Sequence, residues 1–557
     1  MRWLGVFFLG LLLASASAPL DWYPDEMRIR LAQVFGVADY EPAPMSHAPV
    51  DLDPEERCPE DFLGWRKQQV IDGVQIEQSA ACVVDNPHAV AAFVKGTNRV
   101  SQATLMAAGV TADAVEKGAD LDGDGDPDEI HIRLEVVELN GGSPESREPT
   151  TQYAVAPGIL PGFWVFAPKT FGMATENFES AKAQPLFKVP SPTIRVEQGD
   201  RVQITLENSH YMPHTIHFHG VDHPFLDANG EGNDGVPITS EMPVMPGSAR
   251  TYDMQPRQSG TMFYHCHVQV QVHVMMGLQG LFVVEENRPN NFVQTLNLGA
   301  GHVRVRSAAV AEGWDREYDL HYLNVDSDLN NLIQKYNDPR LITEAMHRRY
   351  NITQAASEYF LLNGRSFPYT FRESLVVADS DEKVKLRIAN GGSEGIALHT
   401  HGHKATITHL DGVAVPPVAQ LKRDVIWIAS AQRADLTLQT TDDGLNSYGR
   451  GVWLLHDHQE KGVTTNGISP GGNVSAIVYN DYLGDDGWPL TFGMNFDPFF
   501  DPAYYQGKIS VWAQYDPQNL FGNVSSDGLA WRPLMFWLGC ALAGLCLVVL
   551  LGRGLKR

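Results

Sequence analysis

The chain has 557 residues, too many for one ordinary core and enough for two or three domains. It is 43% hydrophobic, and its 50 glycines and 34 prolines punctuate Val/Ile/Thr-rich runs, which favours β structure over helix bundles. A net charge of −25 argues against nucleic acid as a partner, because its binders carry basic patches.

Residues 1–18, MRWLGVFFLGLLLASASA, join a basic residue, an apolar run and Ala16-Ser17-Ala18, the pattern of a cleaved secretory signal. Residues 19–150 form an acidic, irregular N-terminal extension. Cys58 and Cys82 there are candidates for a disulfide in an exported chain. In DLDGDGDPDE, Asp120, Asp122, Asp124 and Asp128 alternate around glycines as in oxygen-rich calcium loops, although His131 stands where an EF-hand has glutamate. A solvated acidic turn is the alternative.

Two β-rich segments follow. Residues 151–290 hold TIRVEQGDRVQITLENS, SGTMFYHCH and GLQGLFVVEE. Residues 291–485 hold YFLLNGRSFP, EKVKLRIANG, KATITHLDGV, RADLTLQTT and GNVSAIVYND. Each segment has an HxHG motif followed about 45 to 55 residues later by an HxH motif: His217/His219 with His265/His267, then His399/His401 with His456/His458. The repeat predicts two copies of one Greek-key β-sandwich and an all-β fold. Leu329 to Arg349 reads as a helical connector between them. Residues 486–532 are a polar juxtamembrane stretch. Residues 533–552 (PLMFWLGCALAGLCLVVLLG) are long enough for a transmembrane helix. Arg553, Lys556 and Arg557 in the tail, 553–557, place the C-terminus in the cytoplasm and the bulk of the chain on the extracytoplasmic, periplasmic side. A glycolipid-anchor signal is the alternative for such a tail.

The chemistry lies in the histidines. One HxH pair is weak evidence, but eight of the 20 histidines fall in four pairs of one repeated frame. On a strand, HxH aims both imidazoles to one face about 7 Å apart, which suits ligands for neighbouring metals. YHCHVQVQVHVMM (Tyr264 to Met276) reads as a strand with His265 and His267 on one face and Cys266 on the other. His214 lies on the opposite face from His217 and His219. Two imidazoles and a thiolate select blue copper, and His214, Cys266 and His273 supply that set. In the second segment Ile396 and Asp457 take the places of His214 and Cys266, so the corresponding face there is expected to be empty.

HTIHFHG, DGVP…PVMPGSARTYDM, GTMFYHCH and GLQGLFVVEE resemble the multicopper oxidases, cupredoxin-fold proteins related to laccases, ferroxidases and nitrite reductases. The likeness covers roughly residues 150 to 485. It is greatest to two-domain members with the type 1 copper in the first domain. The resemblance implies four coppers per chain: one type 1, one type 2 and two type 3. It implies His214, Cys266 and His273 for type 1, with Leu278 or Met276 axial. It implies His217 and His399 for type 2, and His219, His265, His267, His401, His456 and His458 for type 3. Asp234 matches an acidic residue that assists proton delivery to oxygen. One departure is length: the histidine after HCH usually lies five residues beyond the cysteine, whereas His273 lies seven beyond, and Gln271 occupies the nearer position. Two-domain relatives assemble as rings of three chains, so a homotrimer with clusters between subunits is expected.

The activity so implied is oxidation of a phenol-like compound or metal ion at type 1 copper, coupled to reduction of O2 to water at a trinuclear cluster. Met242, Met245, Met275 and Met276 are soft groups that suit Cu(I), and an acidic surface suits Fe(II). A copper nitrite reductase needs two coppers per chain and an electron carrier one, so copper content separates the three readings.

Overall fold

The computed structural model describes residues 114–141, 152–169, 188–336 and 338–484 apart from short gaps around 209, 290–294, 298–300 and 306–312. It also describes residues 487–490 and 496–509, the strands Gln69–Ile71 and Val74–Ile76, and Leu538, Cys540 and Ala541. Residues 1–18, Cys58, Cys82 and almost all of 533–552 lie outside the described residues. Among the described residues no helix is long and apolar enough to cross a membrane.

The alternation of Arg201–Glu207 shows how these strands form. Val202, Ile204 and Leu206 point inward, while the residues between them are exposed or half-buried. In the first sandwich we label the strands β1 (Val115–Lys117), β2 (Glu129–Leu139), β3 (Phe163–Pro168), β4 (Thr193–Glu197), β5 (Arg201–Glu207), β6 (His217–His219), β7 (Ala249–Met254), β8 (Gly260–His265), β9 (Gln279–Glu285) and β10 (Leu296–Asn297). One sheet runs β1-β2-β5-β7 with β3 beside β2, and the other runs β10-β4-β9-β8-β6. Their inner faces meet in a core that includes Ile132, Ile204, Tyr252, Phe218, Tyr264 and Phe282.

The second sandwich has β11 (Gly301–Val305), β12 (Arg316–Val325), β13 (Tyr359–Leu362), β14 (Val376–Ala378), β15 (Lys383–Asn390), β16 (Ile396–Thr400), β17 (Ala405–Leu410), β18 (Val425–Ile428), β19 (Arg433–Gln439), β20 (Val452–Asp457) and β21 (Ser475–Tyr479). Its sheets run β11-β12-β15-β19-β17, with β13 beside β12, and β14-β21-β20-β16-β18. The pairing repeats that of the first. Strand β2 is parallel to β5 as β12 is to β15, and β4 is parallel to β9 as β14 is to β21. This all-β, cupredoxin-like pair matches the expected fold.

Two expectations change. Residues 115–139 belong to the first sandwich, which therefore starts ahead of residue 151, because β2 carries the ladder to β5. The helical segment is not a link between the sandwiches. It leaves the second sandwich after β12, as the short helices Ser327–Asn330, Leu332–Lys335 and Pro339–Glu344 and the π-turn Ala345–Arg349, and returns at β13. Its apolar residues Leu329, Ile333, Ile342 and Met346 join the core of the first sandwich.

Buried ion pairs also join the two sandwiches. Arg195 reaches Glu317 (2.8 Å) and Asp319 (2.6 Å), and Arg387 donates to Thr261 Oγ1 (3.1 Å). Phe263 and Leu281 pack on Ala389. So the β8–β9 face of the first sandwich meets the β15 strand of the second. In residues 491–557, the described turns Asp497–Phe500 and Tyr504–Gln506 stack Phe499 on Tyr504 (5.1 Å).

Candidate metal centres

Strand β8 ends at His265, so the expected strand over Tyr264 to Met276 is cut short. Gln269 turns the backbone to φ 44°, and Val270–His273 form one helical turn with Val272 and His273 buried. That turn, not an extended run, carries His273 back to the cysteine. Cys266 Sγ lies 3.3 Å from His273 Nδ1 and 3.7 Å from His214 Nδ1. All three residues are fully buried, and their donor atoms lie within 4.8 Å of one another. Gln271 is half-buried and its amide bonds to Gln269. Leu278 and Met276 are both in the core, and the Leu278 carbonyl accepts from Cys266 N–H (3.0 Å).

Burial pushes the Cys266 thiol up to about 11 and holds His214 and His273 well below the usual imidazole range. Two neutral imidazoles, each turning Nδ1 toward a buried sulfur, fit a copper with a thiolate ligand.

The second group forms on the opposite face. Strand register sets His265 opposite His217 and Phe263 opposite His219. His219 Nε2 lies 2.9 Å from His265 Nε2, and the His217 ring lies 5.5 Å from His265 and 5.3 Å from His267. Burial lowers His219 to about 3 and His265 to about 4. The third group repeats the arrangement. His399 pairs with His456 across the ladder, His401 Nε2 lies 3.1 Å from His456 Nε2, and the His399 ring lies 5.6 Å from His458.

Backbone carbonyls fix these rings. His217 Nδ1 donates to Asp234 O (2.6 Å), His399 Nδ1 to Asp424 O (2.9 Å), His265 Nδ1 to Cys266 O (2.9 Å) and His456 Nδ1 to Asp457 O (2.9 Å). With Nδ1–H used in this way, each Nε2 keeps a lone pair for a metal. Among the described residues no hydrogen bond or ring contact joins the His217 group to the His399 group.

Asp234 Oδ1 lies 3.3 Å from His217 Nδ1 and 3.2 Å from His223 Nε2. Gly235, at φ 76°, lets this loop close on β6, since a Cβ there would meet Ile216 O at 2.1 Å.

On the second sandwich's other face, where the sequence predicts no type 1 set, a buried carboxylate stands in the cysteine's place. Asp457 is 3% exposed and accepts from Ala397 N (2.8 Å) and Gln459 N (3.0 Å). A Cβ on Gly462 would lie 2.6 Å from its Oδ2. Hydrogen bonds and packing fill the position.

Sequence reading missed the residues behind the Cys266 site. His210 Nδ1 accepts from His214 Nε2 (2.9 Å), and Trp164 packs its edge on His210, His214 and His273. His347 Nε2 meets His273 Nε2 at 3.3 Å. His321, fully buried, bonds to Gln279 Oε1 (3.0 Å) beside Phe263. None of these sits in a motif, and His347 is 74 residues from its partner. Met242 and Met245 are exposed, whereas Met275 and Met276 are buried and closed to any ion at the surface.

Asp120, Asp122 and Asp128 bring carboxylate oxygens within 4.8 Å of one another, without Asp124. Their own loop uses them: Asp120 accepts from Gly123 N and Gly125 N, and Asp128 from Asp122 N.

Residues 187–289 match a family model described as multicopper oxidase. Curated relatives include the oxidoreductase OpS5 of Beauveria bassiana, 25% identical over 55% of this chain and 47% of that one. The iron transport multicopper oxidase FET3 of Saccharomyces cerevisiae is 27% identical over 49% and 37%. Copper resistance protein A of Pseudomonas syringae pv. tomato is 25% identical over 47% and 43%. The chain thus spans less than half the length of these relatives. Among solved structures, the blue copper oxidase from Nitrosomonas europaea is 23% identical, with a TM-score of 0.46 over 70% of this chain and 99% of that one. The multicopper oxidase likeness read from HTIHFHG and GTMFYHCH therefore holds over the first sandwich's metal-binding half.

Proposed function

We propose that this chain is a copper-dependent oxidase that couples one-electron oxidation of a reductant to four-electron reduction of O2. The observation that carries the reading is the split of eight histidines into two tetrads of equal register, beside one buried Cys/His/His set. Copper bound at these positions would supply one-electron chemistry, and the overall reaction adds four electrons and four protons to one O2 to give two waters. His214, Cys266 and His273 would hold type 1 copper, with Leu278 and Met276 buried in the same core. His217 and His399 hold type 2, and the other six cluster histidines hold type 3. Cys266 is peptide-bonded to His265 and His267, which ties the buried thiol to the cluster face by the shortest covalent route. Asp234, whose Oδ1 lies 3.3 Å from His217 Nδ1 and 3.2 Å from His223 Nε2, would pass protons.

We further propose a homotrimer. Each tetrad supplies half of a cluster. Within one chain the β8–β9 face packs on β15, which belongs to the sheet that does not carry His399 and His456. Strands β18 and β20 flank the second tetrad and expose Val425, Trp427 and Leu454, an apolar rim that another copy's first sandwich would cover. Export, and anchoring through residues 533–552, complete the reading.

The test is copper content with complementation. The oxidase holds four coppers per assembled chain and consumes one O2 per four electrons. Two coppers with nitrite turnover support a nitrite reductase instead, and one copper a carrier. One chain carrying His217→Ala and His219→Ala, and another carrying His399→Ala and His401→Ala, are each inactive alone. Co-expression restores part of the O2 consumption. Mixed trimers without recovered activity would place the cluster inside one chain.

A further inference from the structure

Three aromatic rings touch the two imidazoles of the Cys266 site: Trp164, His210 and His347. His214, His273 and Trp164 have no exposed surface and His210 is 6% exposed. Only His347 is half-exposed. A reductant in solvent therefore meets neither His214 nor His273. It meets His347, whose Nε2 lies 3.3 Å from His273 Nε2, with ring centroids 5.4 Å apart and planes tilted by 31°. The far nitrogen of that second ring, Nδ1, points at Cys266 Sγ across 3.3 Å. The path from solvent to sulfur is two imidazoles long, and the outer one comes from the excursion of the second sandwich.

The charge around this ring also departs from that of the whole chain. The next two residues, Arg348 and Arg349, are exposed. Arg349 lies 3.6 Å from Glu344, whereas among the described residues Arg348 has no carboxylate partner and bonds only to His347 O (3.3 Å). At physiological salt the screening length is about 8 Å, so a donor touching His347 lies within range of the Arg348 charge.

Resting on the oxidase reading, we propose that His347 is the port through which electrons enter and that Arg348 selects donors carrying negative charge. The step is outer-sphere. The donor loses one electron at contact with His347, and the cupric ion of the Cys266 site gains it. No bond forms or breaks, no proton moves, and His347 itself is neither oxidised nor reduced.

The experiment uses copper-loaded full chain under anaerobic conditions and follows bleaching of the thiolate–copper absorption in stopped flow. Two one-electron probes are compared: anionic hexacyanoferrate(II) and cationic hexaammineruthenium(II). Equilibrium redox titration gives each variant's potential. We expect His347→Ala and His347→Gln to keep the absorption and potential of the unaltered protein and to bleach about tenfold more slowly with both probes, with imidazole in the buffer restoring the rate of the alanine variant. Arg348→Gln should slow hexacyanoferrate(II) alone, by about tenfold at low salt, and flatten its salt dependence, as expected for a lost steering charge. Unchanged bleaching in both His347 variants overturns the port. So does a slowing wholly accounted for by a shifted potential, which would make His347 a positioning residue for His273. An equal effect of Arg348→Gln on both probes overturns the charge selection. An unaltered protein that takes up copper without the thiolate–copper absorption overturns the oxidase reading itself, and is seen before any variant is made.

Discussion

The two sandwiches put the same backbone to opposite uses. In both, an HxHG strand pairs with an HxH strand in one register, His217 with His265 and His399 with His456. In both, the middle residue of the second HxH faces the interior. The first sandwich places a thiol there, with an imidazole nitrogen 3.3 Å away on one side and 3.7 Å away on the other. The second places a carboxylate that two backbone N–H groups occupy, beside a cavity of about 10 Å³, room for a single water. Register decides where the side chain sits. The chemistry of one atom then decides whether the place suits a metal or a hydrogen-bonded plug. The segments between equivalent strands differ as well. The one after β12 grows into helices that cross to the first sandwich and carry His347 over its site. The sandwich without the thiol thus guards the sandwich that has it.

Exchange at the paired positions gives the sharpest contrast. Cys266→Ser should abolish the thiolate–copper absorption and remove one copper per chain, while Asp457→Asn leaves both unchanged; optical spectra with copper analysis decide. Loss of absorption in the Asp457 variant would break the comparison, because the carboxylate would then support the distant copper. Stability inverts the ranking. Asp457→Ala removes the acceptor of the half-buried Ala397 and Gln459 N–H groups, at a cost of about 1 kcal/mol. A denaturant midpoint equal to that of the unaltered chain would mean that water replaces the carboxylate.

The candidate metal-binding residues were legible because HxH spacing and strand alternation are the same geometry, so four short motifs pointed to both tetrads. His214 and Cys266 followed from facing alone. The turn at Val270–His273 was not legible. VQVQV alternates with period two, as a strand does, and only the backbone reversal at Gln269 with the burial of Val272 and His273 makes it helical. The extent of the first sandwich was hidden by the acidic loop at Asp120–Asp128, whose composition resembles an extension although β2 follows directly. His210, His321 and His347 carry no local pattern. Their roles come from contacts that span the fold, and the buried plug at Asp457 depends on partners that no motif names.

The interface between the sandwiches gives an effect visible in pH. Burial lowers His321 to about 3, far below its unfolded value near 6.5. The unfolded chain therefore binds the extra proton between those values, and stability falls as pH drops below about 6.5. Each such imidazole contributes a slope of about 1.4 kcal/mol per pH unit. Against the unaltered apoprotein, His321→Gln should show a shallower loss between pH 6 and pH 4 by about one proton's worth of slope. Parallel curves would mean that His321 titrates alike in both states, and that the seam between the sandwiches is wetter than its burial indicates.

The smallest effect tests the two-residue lengthening after Cys266. Gln271 stands where the shorter spacing would put a ligand, yet it is half-buried and its amide bonds only to the neighbouring Gln269 (3.1 Å). Gln271→Ala should change stability by less than about 0.5 kcal/mol, as surface substitutions do, and leave the thiolate–copper absorption intact. His273→Ala should remove that absorption, because it deletes the nitrogen 3.3 Å from the sulfur. The pair of spectra, taken on folded protein of equal copper loading, discriminates the ligand. If the Gln271 variant loses the absorption and the His273 variant keeps it, copper is held at the shorter spacing and the helical turn unwinds to reach it.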